Sequence, residues 1–283
     1  KVEDGCVNFC SYCIIPYARG PIRSLSIQAA EEQCRHLGSE GYREVVLTGI
    51  EISSWGAERR DGSNLIDLVE AVCRALPADV RVRLGSLEPR TITEDFCRRA
   101  AALPNLCPHF HLSMQSGCDS VLKRMNRKYD TGRYYESVKL LREYFDRPGI
   151  TTDLIVGFPG ETEEEFRATL AFVEQCAFSA MHIFPYSRRT GTPAAKLPDQ
   201  IPNAVKEDRA HRAGALARRL EEAYLDSWVG ETLPVLFEEE KGGLWRGHAP
   251  NYVEVFARGE DLHNVERPVK ILRREGNALI GQI

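Results

Sequence analysis

No apolar run in this 283-residue chain approaches the roughly 18 residues that a bilayer-spanning helix needs, and no basic-then-apolar leader opens it. A membrane helix is therefore not expected. Excess positive charge is also missing: 37 Lys and Arg stand against 41 Asp and Glu, a net charge of −4. Attraction to a polyanion has to come from local basic patches. The paired cysteines of a small secreted scaffold are absent too. Nine cysteines is an odd number without framework spacing, which points to a reducing compartment, the cytoplasm, and to thiols used for metal binding or packing. What remains, 43% hydrophobic and 28% charged, is the composition of a globular chain that buries a large core. Residues 1–5 read as a strand already under way, so the natural chain is expected to begin upstream.

Hydrophobic period divides the chain in two. Residues 44–49, 80–86, 109–114, 150–156 and 178–184 read as buried strands. Helical patterns follow over 27–39, 65–76, 93–103, 120–144, 163–176 and 204–224. Thr162-x-x-Glu165 and Thr91-x-x-Glu94 match the capping box, in which hydroxyl and carboxylate satisfy orphan amides. With residues 1–5 as the first strand, six β/α units result. They predict a parallel sheet curved into a partial (β/α)6 TIM-like barrel, with a flat doubly wound sheet as the alternative. Beyond residue 226 the texture changes to short strand-like runs at 232–237, 244–248, 252–257, 268–272 and 278–283, separated by Gly, Asn and Glu turns. These predict a small five-stranded β-barrel. Between Val121 and Arg142, Lys123, Arg124, Arg127, Lys128, Arg133, Lys139 and Arg142 face only Asp130 and Glu136, a candidate basic patch or simply a solvated helix face.

The chemistry concentrates in Cys6-Val-Asn-Phe-Cys10-Ser-Tyr-Cys13, three thiols within eight residues directly after the first strand. A disulfide would strand one of them, and a closed zinc site usually takes four ligands. Three thiolates on a four-iron cluster leave one iron open for a cofactor or substrate. The C-x3-C-x2-C spacing resembles that of the radical S-adenosylmethionine superfamily, whose cofactor chelates the open iron and is cleaved reductively to a deoxyadenosyl radical. Zinc or chance clustering are the alternatives. Cys34, Cys73, Cys97, Cys107, Cys118 and Cys176 have no ligand spacing and read as core packing, with Cys118 after a Ser-Gly turn as the exception.

In a barrel, functional groups gather at the C-terminal ends of strands. By the superfamily resemblance, Tyr12 packs on the cofactor, and Thr48, Gly49 and Glu51 after the second strand present groups to its methionine amine. Ser86 and Glu88 follow the third strand. Gln115 and Ser116 follow the fourth, with Arg124 and Arg127 beyond, suited to ribose hydrogen bonds and a fork to the methionine carboxylate. The fifth strand offers Asp153 and Gly157, whose glycine suits an adenine edge or just a tight turn. The donor-rich loop 184–193 faces substrate or solvent. His109 and His111 share a strand face and, without a third partner, read as core or barrel-lining residues.

Segments 4–24 (DGCVNFCSYCIIPYARGPIRS), 83–90 (RLGSLEPR), 111–129 (HLSMQSGCDSVLKRMNRKY) and 153–162 (DLIVGFPGET), with the Gly191-Thr192-Pro193-Ala194 turn, together resemble the methylthiotransferases over nearly the whole chain. The nearest branch is the MtaB-like one, which adds a methylthio group at C2 of threonylcarbamoyladenosine beside the tRNA anticodon. The resemblance implies a radical SAM core over residues 1–226 and an RNA-binding, OB-like TRAM barrel over 227–283. It implies a 4Fe–4S cluster on Cys6, Cys10 and Cys13, S-adenosyl-L-methionine as methyl and radical source, a tRNA anticodon stem-loop as substrate, an electron donor such as flavodoxin or ferredoxin, and a monomer. Nothing here corresponds to the family's N-terminal auxiliary-cluster domain, so this chain is expected to bind cofactor without completing methylthiolation. Its residues 227–283 hold seven Lys and Arg against nine Asp and Glu. An RNA face would have to gather Arg246, Arg258, Lys270, Arg273 and Arg274, with Trp245 or Tyr252 for stacking. A ribosomal-protein aspartate methylthiotransferase and a non-catalytic RNA-binding metalloprotein are the competing readings.

Overall fold

A computed structural model describes residues 1–283. In chain order the first part runs β1 (Glu3–Asp4), α1 (Ile15–Arg19), β2 (Arg23–Ser24), α2 (Ile27–Ser39), β3 (Glu44–Leu47), α3 (Leu65–Ala75), β4 (Arg81–Leu84), α4 (Glu94–Ala101) and β5 (His109–His111). It continues with α5 (Asp119–Arg124), α6 (Thr131–Tyr144), β6 (Gly149–Val156), α7 (Glu163–Cys176), β7 (Ala180–Pro185) and α8 (Asn203–Asp226). Five further strands follow: β8 (Thr232–Lys241), β9 (Leu244–His248), β10 (Glu254–Ala257), β11 (Val265–Glu275) and β12 (Ala278–Gln282).

β3 pairs with β4, β5 with β6, and β6 with β7, all in parallel. Bridges at Val82/Leu106 and Leu87/Leu112 join the two groups, and the Val2 amide donates to the Thr48 carbonyl at 2.8 Å. The strands thus follow one another in sequence order without the reversal a doubly wound sheet requires. The result is the partial barrel with helices outside. Along β6, Thr152, Leu154 and Val156 are buried toward the helices while Asp153 and Ile155 are half-exposed, as the two-residue period of a strand dictates. A core of 40 buried residues lies between sheet and helices, and a separate 13-residue core fills the closed barrel formed by β8–β12. No helix is long and apolar enough to cross a membrane.

Three expectations change. The pattern over 120–144 is not one helix: α5 ends at Arg124, and a turn with Asn126 at φ 59° precedes α6. The Thr162–Glu165 capping box forms, whereas α4 is capped by Thr93, not Thr91, because Pro89–Thr91 closes as a 3-10 turn first. The arginines of the basic stretch do not form a patch, while Lys123, Lys128 and Lys139 stay exposed. Arg124 grips Glu165, Arg127 is buried, Arg133 donates to the Ile92 carbonyl, and Arg142 donates to the carbonyls of Cys176 and Ala177. These guanidiniums close helix and loop ends that would otherwise leave bare carbonyls.

The small barrel docks on the N-terminal ends of β3–β6. Glu44 binds both Arg81 and Arg83, and the two guanidiniums donate onward to the carbonyls of His248 and Pro250 at 2.8 Å. Gly149 permits the contact, since a Cβ there would stand 2.2 Å from the Asn251 carbonyl oxygen. Tyr252, left-handed at φ 70°, is stacked between His109 and His248 at ring-centroid distances of 4.7 and 5.1 Å. Burial first, then the neighbouring charges of Arg83 and His111, lowers the His109 imidazole from 6.5 to about 3. The unfolded chain binds a proton on His109 near pH 6.5 and the folded chain does not, so stability is complete above that pH and falls through the window from 6.5 toward 3. Unfolding by urea should therefore show a loss of about 2 kcal/mol between pH 7.5 and pH 5 from this residue, at ~1.4 kcal/mol per pH unit below its unfolded pKa. His109→Phe, which keeps a flat ring on Tyr252, should remove that part of the slope.

Candidate active site

The cysteine loop leaves β1 at the opposite, C-terminal mouth of the barrel and has no regular structure beyond a Cys10–Cys13 turn, in which the Cys13 amide donates to the Cys10 carbonyl at 2.9 Å. Its first bend requires Gly5, at φ 89°, where a Cβ would lie 2.0 Å from the Pro21 carbonyl oxygen. The rest is pinned by the break between α5 and α6. Ser11 donates its amide to the Met125 carbonyl and its hydroxyl to that of Arg124, and the Asn126 amide donates to the Phe9 carbonyl at 2.8 Å. From the far side the Ala194 amide donates to the Ser11 carbonyl at 2.8 Å. Beneath the loop, Val121, Met125, Phe158, Tyr186 and Ala194 form a small apolar cluster, and the Tyr12 ring packs edge-on against Phe158 at 6.4 Å.

Cys6, Cys10 and Cys13 line one inner cavity of about 150 Å³ together with Asn8, Tyr12, Ile50, Glu51, Ser86, Glu88, Ser113, Gln115 and Arg127. All three thiols are free. Donors reach the sulfurs: the Asn8 backbone amide lies 3.5 Å from Cys6 Sγ and Arg127 Nη1 lies 3.2 Å from Cys10 Sγ. Burial pushes the Cys6 thiol up to about 11 and also raises Cys13. A metal centre therefore displaces protons here as it binds. No three His, Cys, Asp or Glu side chains converge closely enough to share a single metal ion. Three thiols fall one short of the four ligands of a closed zinc site and match a four-iron cluster with one open iron.

The wall beside the thiols carries charge. Arg127 is buried, 3.3 Å from Glu88 Oε1, and donates to the Ser113 carbonyl and to Cys10. The Asn8 side chain bridges Glu88 and Glu51 at 3.3 and 3.5 Å. Burial, then the charge of Glu88, holds the Glu51 carboxyl above its ordinary range. A second, outer cavity of about 350 Å³ shares Tyr12, Cys13 and Gln115 with the first and extends to Asp153, Ile155, Phe184, Tyr186, Ser187 and Arg189.

Of the residues singled out from sequence, Tyr12, Glu51, Ser86, Glu88, Gln115, Arg127 and Asp153 line these two cavities. Four others lie elsewhere. Thr48 and Gly49 sit at the exposed end of β3, with the Thr48 carbonyl taken by Val2. Ser116 is wholly buried against the Thr169 hydroxyl, and Gly157 donates its amide to Glu161 beneath Lys206. Asn8, inside the cysteine motif, and Ser113, just past β5, also line the inner cavity, and the position of each beside a strand end is the only sequence signal for it. His111 is not merely lining: its Nε2 lies 3.4 Å from Asp153.

Residues 2–173 match the Radical SAM superfamily. The chain is 39% identical over 287 residues to the threonylcarbamoyladenosine tRNA methylthiotransferase MtaB of Chlamydia pneumoniae, an alignment covering all of this chain and 67% of that protein. It belongs to the radical SAM methylthiotransferases. A tRNA-2-methylthio-N(6)-dimethylallyladenosine synthase of Acetivibrio thermocellus is 39% identical over 234 residues, covering 83% of this chain and 48% of the relative. The chain thus spans between about half and two thirds of the length of these curated relatives. In fold it is similar to the radical S-adenosylmethionine methyltransferase TsrM of Kitasatospora setae, with TM-score 0.57 and 19% identity over 68% of this chain and 37% of that one.

The radical SAM family works with a 4Fe–4S cluster and S-adenosylmethionine, and the donor set fits both: three soft thiols on one loop, polar groups on the facing wall, and a cavity continuing past Cys13. Cys10→Ala is expected to leave the thermal unfolding midpoint within a few degrees, since the residue has no part in the main apolar core. After anaerobic reconstitution with iron and sulfide, the variant should lose the visible thiolate-to-iron absorption that the parent chain acquires.

Proposed function

We propose that this chain is the catalytic portion of a tRNA methylthiotransferase that inserts a methylthio group at C2 of threonylcarbamoyladenosine next to the anticodon, with a radical SAM core over 1–226 and a TRAM-like module over 227–283. The observation that carries the reading is that three free thiols of one loop line a single cavity with Glu51, Glu88, Gln115 and Arg127 at the C-terminal mouth of a parallel barrel. When bound there, the cluster and S-adenosylmethionine supply the reductive radical chemistry and the methyl group.

The protein's own part is to hold and orient. Cys6, Cys10 and Cys13 ligate the cluster, and Asn8 and Arg127 donate hydrogen bonds to sulfur, which tunes its potential. Glu51, Ser86, Glu88 and Gln115 offer acceptors and donors to a zwitterionic cofactor, and Tyr12 closes one side of it against water. Arg127 is held in place by Glu88, so it presents a fixed charge rather than a mobile one. A single-electron donor of the flavodoxin or ferredoxin class, a monomeric state and a cytoplasmic setting belong to the same proposal.

The RNA-binding face of the small barrel is narrower than its composition implies. Arg246 is taken by Glu239 and Glu254, Arg274 by Asp226 and Glu222, and Tyr252 by the domain junction. Arg258, which has no carboxylate partner, and Arg273, paired only with the exposed Glu275 at 2.9 Å, border a groove with the half-exposed Leu272. They are the cations we assign to RNA backbone contact.

Reduction of the reconstituted chain with dithionite in the presence of S-adenosylmethionine should release 5′-deoxyadenosine. An anticodon stem-loop should bind with an affinity that falls steeply with salt. The tRNA reading is wrong if the chain binds a ribosomal-protein aspartate loop and no stem-loop. The enzyme reading is wrong if no deoxyadenosine forms.

A further inference from the structure

The loop that carries the thiols has a second, outward face. Cys6, Asn8, Cys10 and Tyr12 line the inner cavity, whereas Val7 and Phe9 between them do not and stand about half exposed, at 51 and 47%. Tyr17 of α1, also exposed, meets the Phe9 ring edge-on at a centroid distance of 5.6 Å. Apolar surface therefore gathers on the side of the loop turned away from the cavity.

Phe9 is held there against its own preference. At φ 48° it occupies the left-handed region that suits glycine or asparagine, and the Asn126 side-chain amide fixes it by donating to the Phe9 carbonyl at 2.8 Å and the Asn8 carbonyl at 3.4 Å. A glycine would make the same turn without strain. Neither the turn nor any buried cluster uses the ring, so its contribution is the surface it makes.

Cations border that surface. Lys128 donates to the Asn126 side-chain oxygen at 2.8 Å, and Arg19 ends the short helix that carries Tyr17. Arg23 donates to the Arg19 carbonyl at 3.0 Å and shares the Asp4 carboxylate with Lys1, at 3.1 and 3.0 Å. The Cys6 amide donates to the Gly20 carbonyl at 3.1 Å, which ties this group to the loop. Glu58, bonded to Ser24, is offset by Arg59, which donates to the Ser24 carbonyl. Four cations thus stand against the one carboxylate of Asp4, in a chain whose net charge is −4.

Cys6 and Cys10 are buried, so a protein partner cannot touch them. A partner seated on Val7 and Phe9 rests on their covalent neighbours. We propose that Val7, Phe9 and Tyr17, with the cations beside them, form the docking surface for an acidic one-electron carrier protein that reduces the cluster. The assignment rests on the cluster and electron-donor reading above and not on tRNA as the substrate. One electron leaves the carrier, which is oxidised by one, and enters the cluster, which is reduced by one; no bond or proton changes hands at this surface. A small apolar patch with a charged rim suits such an encounter, since redox complexes bury little area and are steered by charge. RNA fits less well, because the patch faces away from the cavity that a target base has to reach, and the edge-on ring pair is not a parallel stacking platform.

The test uses the cluster-loaded chain and a purified flavodoxin, an acidic flavoprotein. Anaerobic calorimetric titration gives its affinity, and stopped-flow bleaching of the cluster absorption gives the rate of reduction by flavodoxin hydroquinone and, in parallel, by dithionite. Flavodoxin affinity should weaken as salt rises. Phe9→Gly combined with Tyr17→Ser is expected to lower affinity and the bimolecular rate by about tenfold, as loss of interface aromatics does. Dithionite reduction and S-adenosylmethionine affinity should be unchanged. Arg19→Glu with Lys128→Glu should slow association and flatten its salt dependence, whereas Arg19→Lys with Lys128→Arg should not. The proposal is overturned if the aromatic variant accepts electrons from flavodoxin at the parent rate. It is equally overturned if that variant loses anticodon stem-loop affinity with flavodoxin binding intact, which would give the surface to RNA, or if the parent chain binds neither flavodoxin nor ferredoxin while dithionite reduces its cluster. A cluster that dithionite itself fails to reduce would remove the enzyme reading, and this assignment with it.

Discussion

Everything at the cysteine mouth depends on how the loop 5–13 is held, because a segment with three thiols and no regular hydrogen bonding has no conformation of its own. The α5–α6 break supplies it. Had that stretch stayed helical, the carbonyls of Arg124 and Met125 would be committed to the helix ladder, and neither Ser11 contact could form. The left-handed Asn126 turns the chain so that its own side chain clamps Phe9 while Arg127 enters the cavity. A buried Arg–Glu pair adds little net stability, yet removing one partner leaves an uncompensated charge that costs about 3 to 5 kcal/mol. Arg127 and Glu88 therefore bind the loop to the end of β4 more firmly than their attraction alone would suggest.

The parts legible in advance were those that report locally. Strand and helix periodicity placed the six β/α units and the five later strands, and the three-cysteine spacing located the site, because these signals are carried by neighbouring residues. The break after Arg124 had only a weak local signal, the Asp130 that caps α6 and the neighbouring Gly132, and the apolar period runs on across it, while the left-handed Asn126 is held by its contact to the cysteine loop. The basic stretch misled for a related reason. Charge counts do not reveal that Arg133 and Arg142 are used on internal carbonyls. Tyr252 looked like a stacking surface for RNA and does stack, but on His109 and His248 of its own chain. Long-range pairings such as His111 with Asp153, 42 residues apart, have no local signature.

The two ends of the barrel divide the labour. At the N-terminal ends of the strands, Glu44, Arg81 and Arg83 form a compact buried network whose donors terminate on backbone carbonyls of the small barrel, a contact that fixes orientation rather than chemistry. At the C-terminal ends, buried carboxylates and a guanidinium face open volume instead of one another's full complement of partners. Left-handed residues mark both ends: Phe9, Gln115 and Asn126 lie around the cysteines, and Tyr252 at the junction with the small barrel.

The docked segment 249–253 makes the lumen a blind-ended well. With Asn251 and Tyr252 lodged under β5 and β6, whatever enters past the cysteine loop meets a floor rather than a passage. A small molecule that enters past the cysteine loop cannot leave at the small-barrel end, so the depth of the lumen above Tyr252, not the length of the barrel, limits what it can hold.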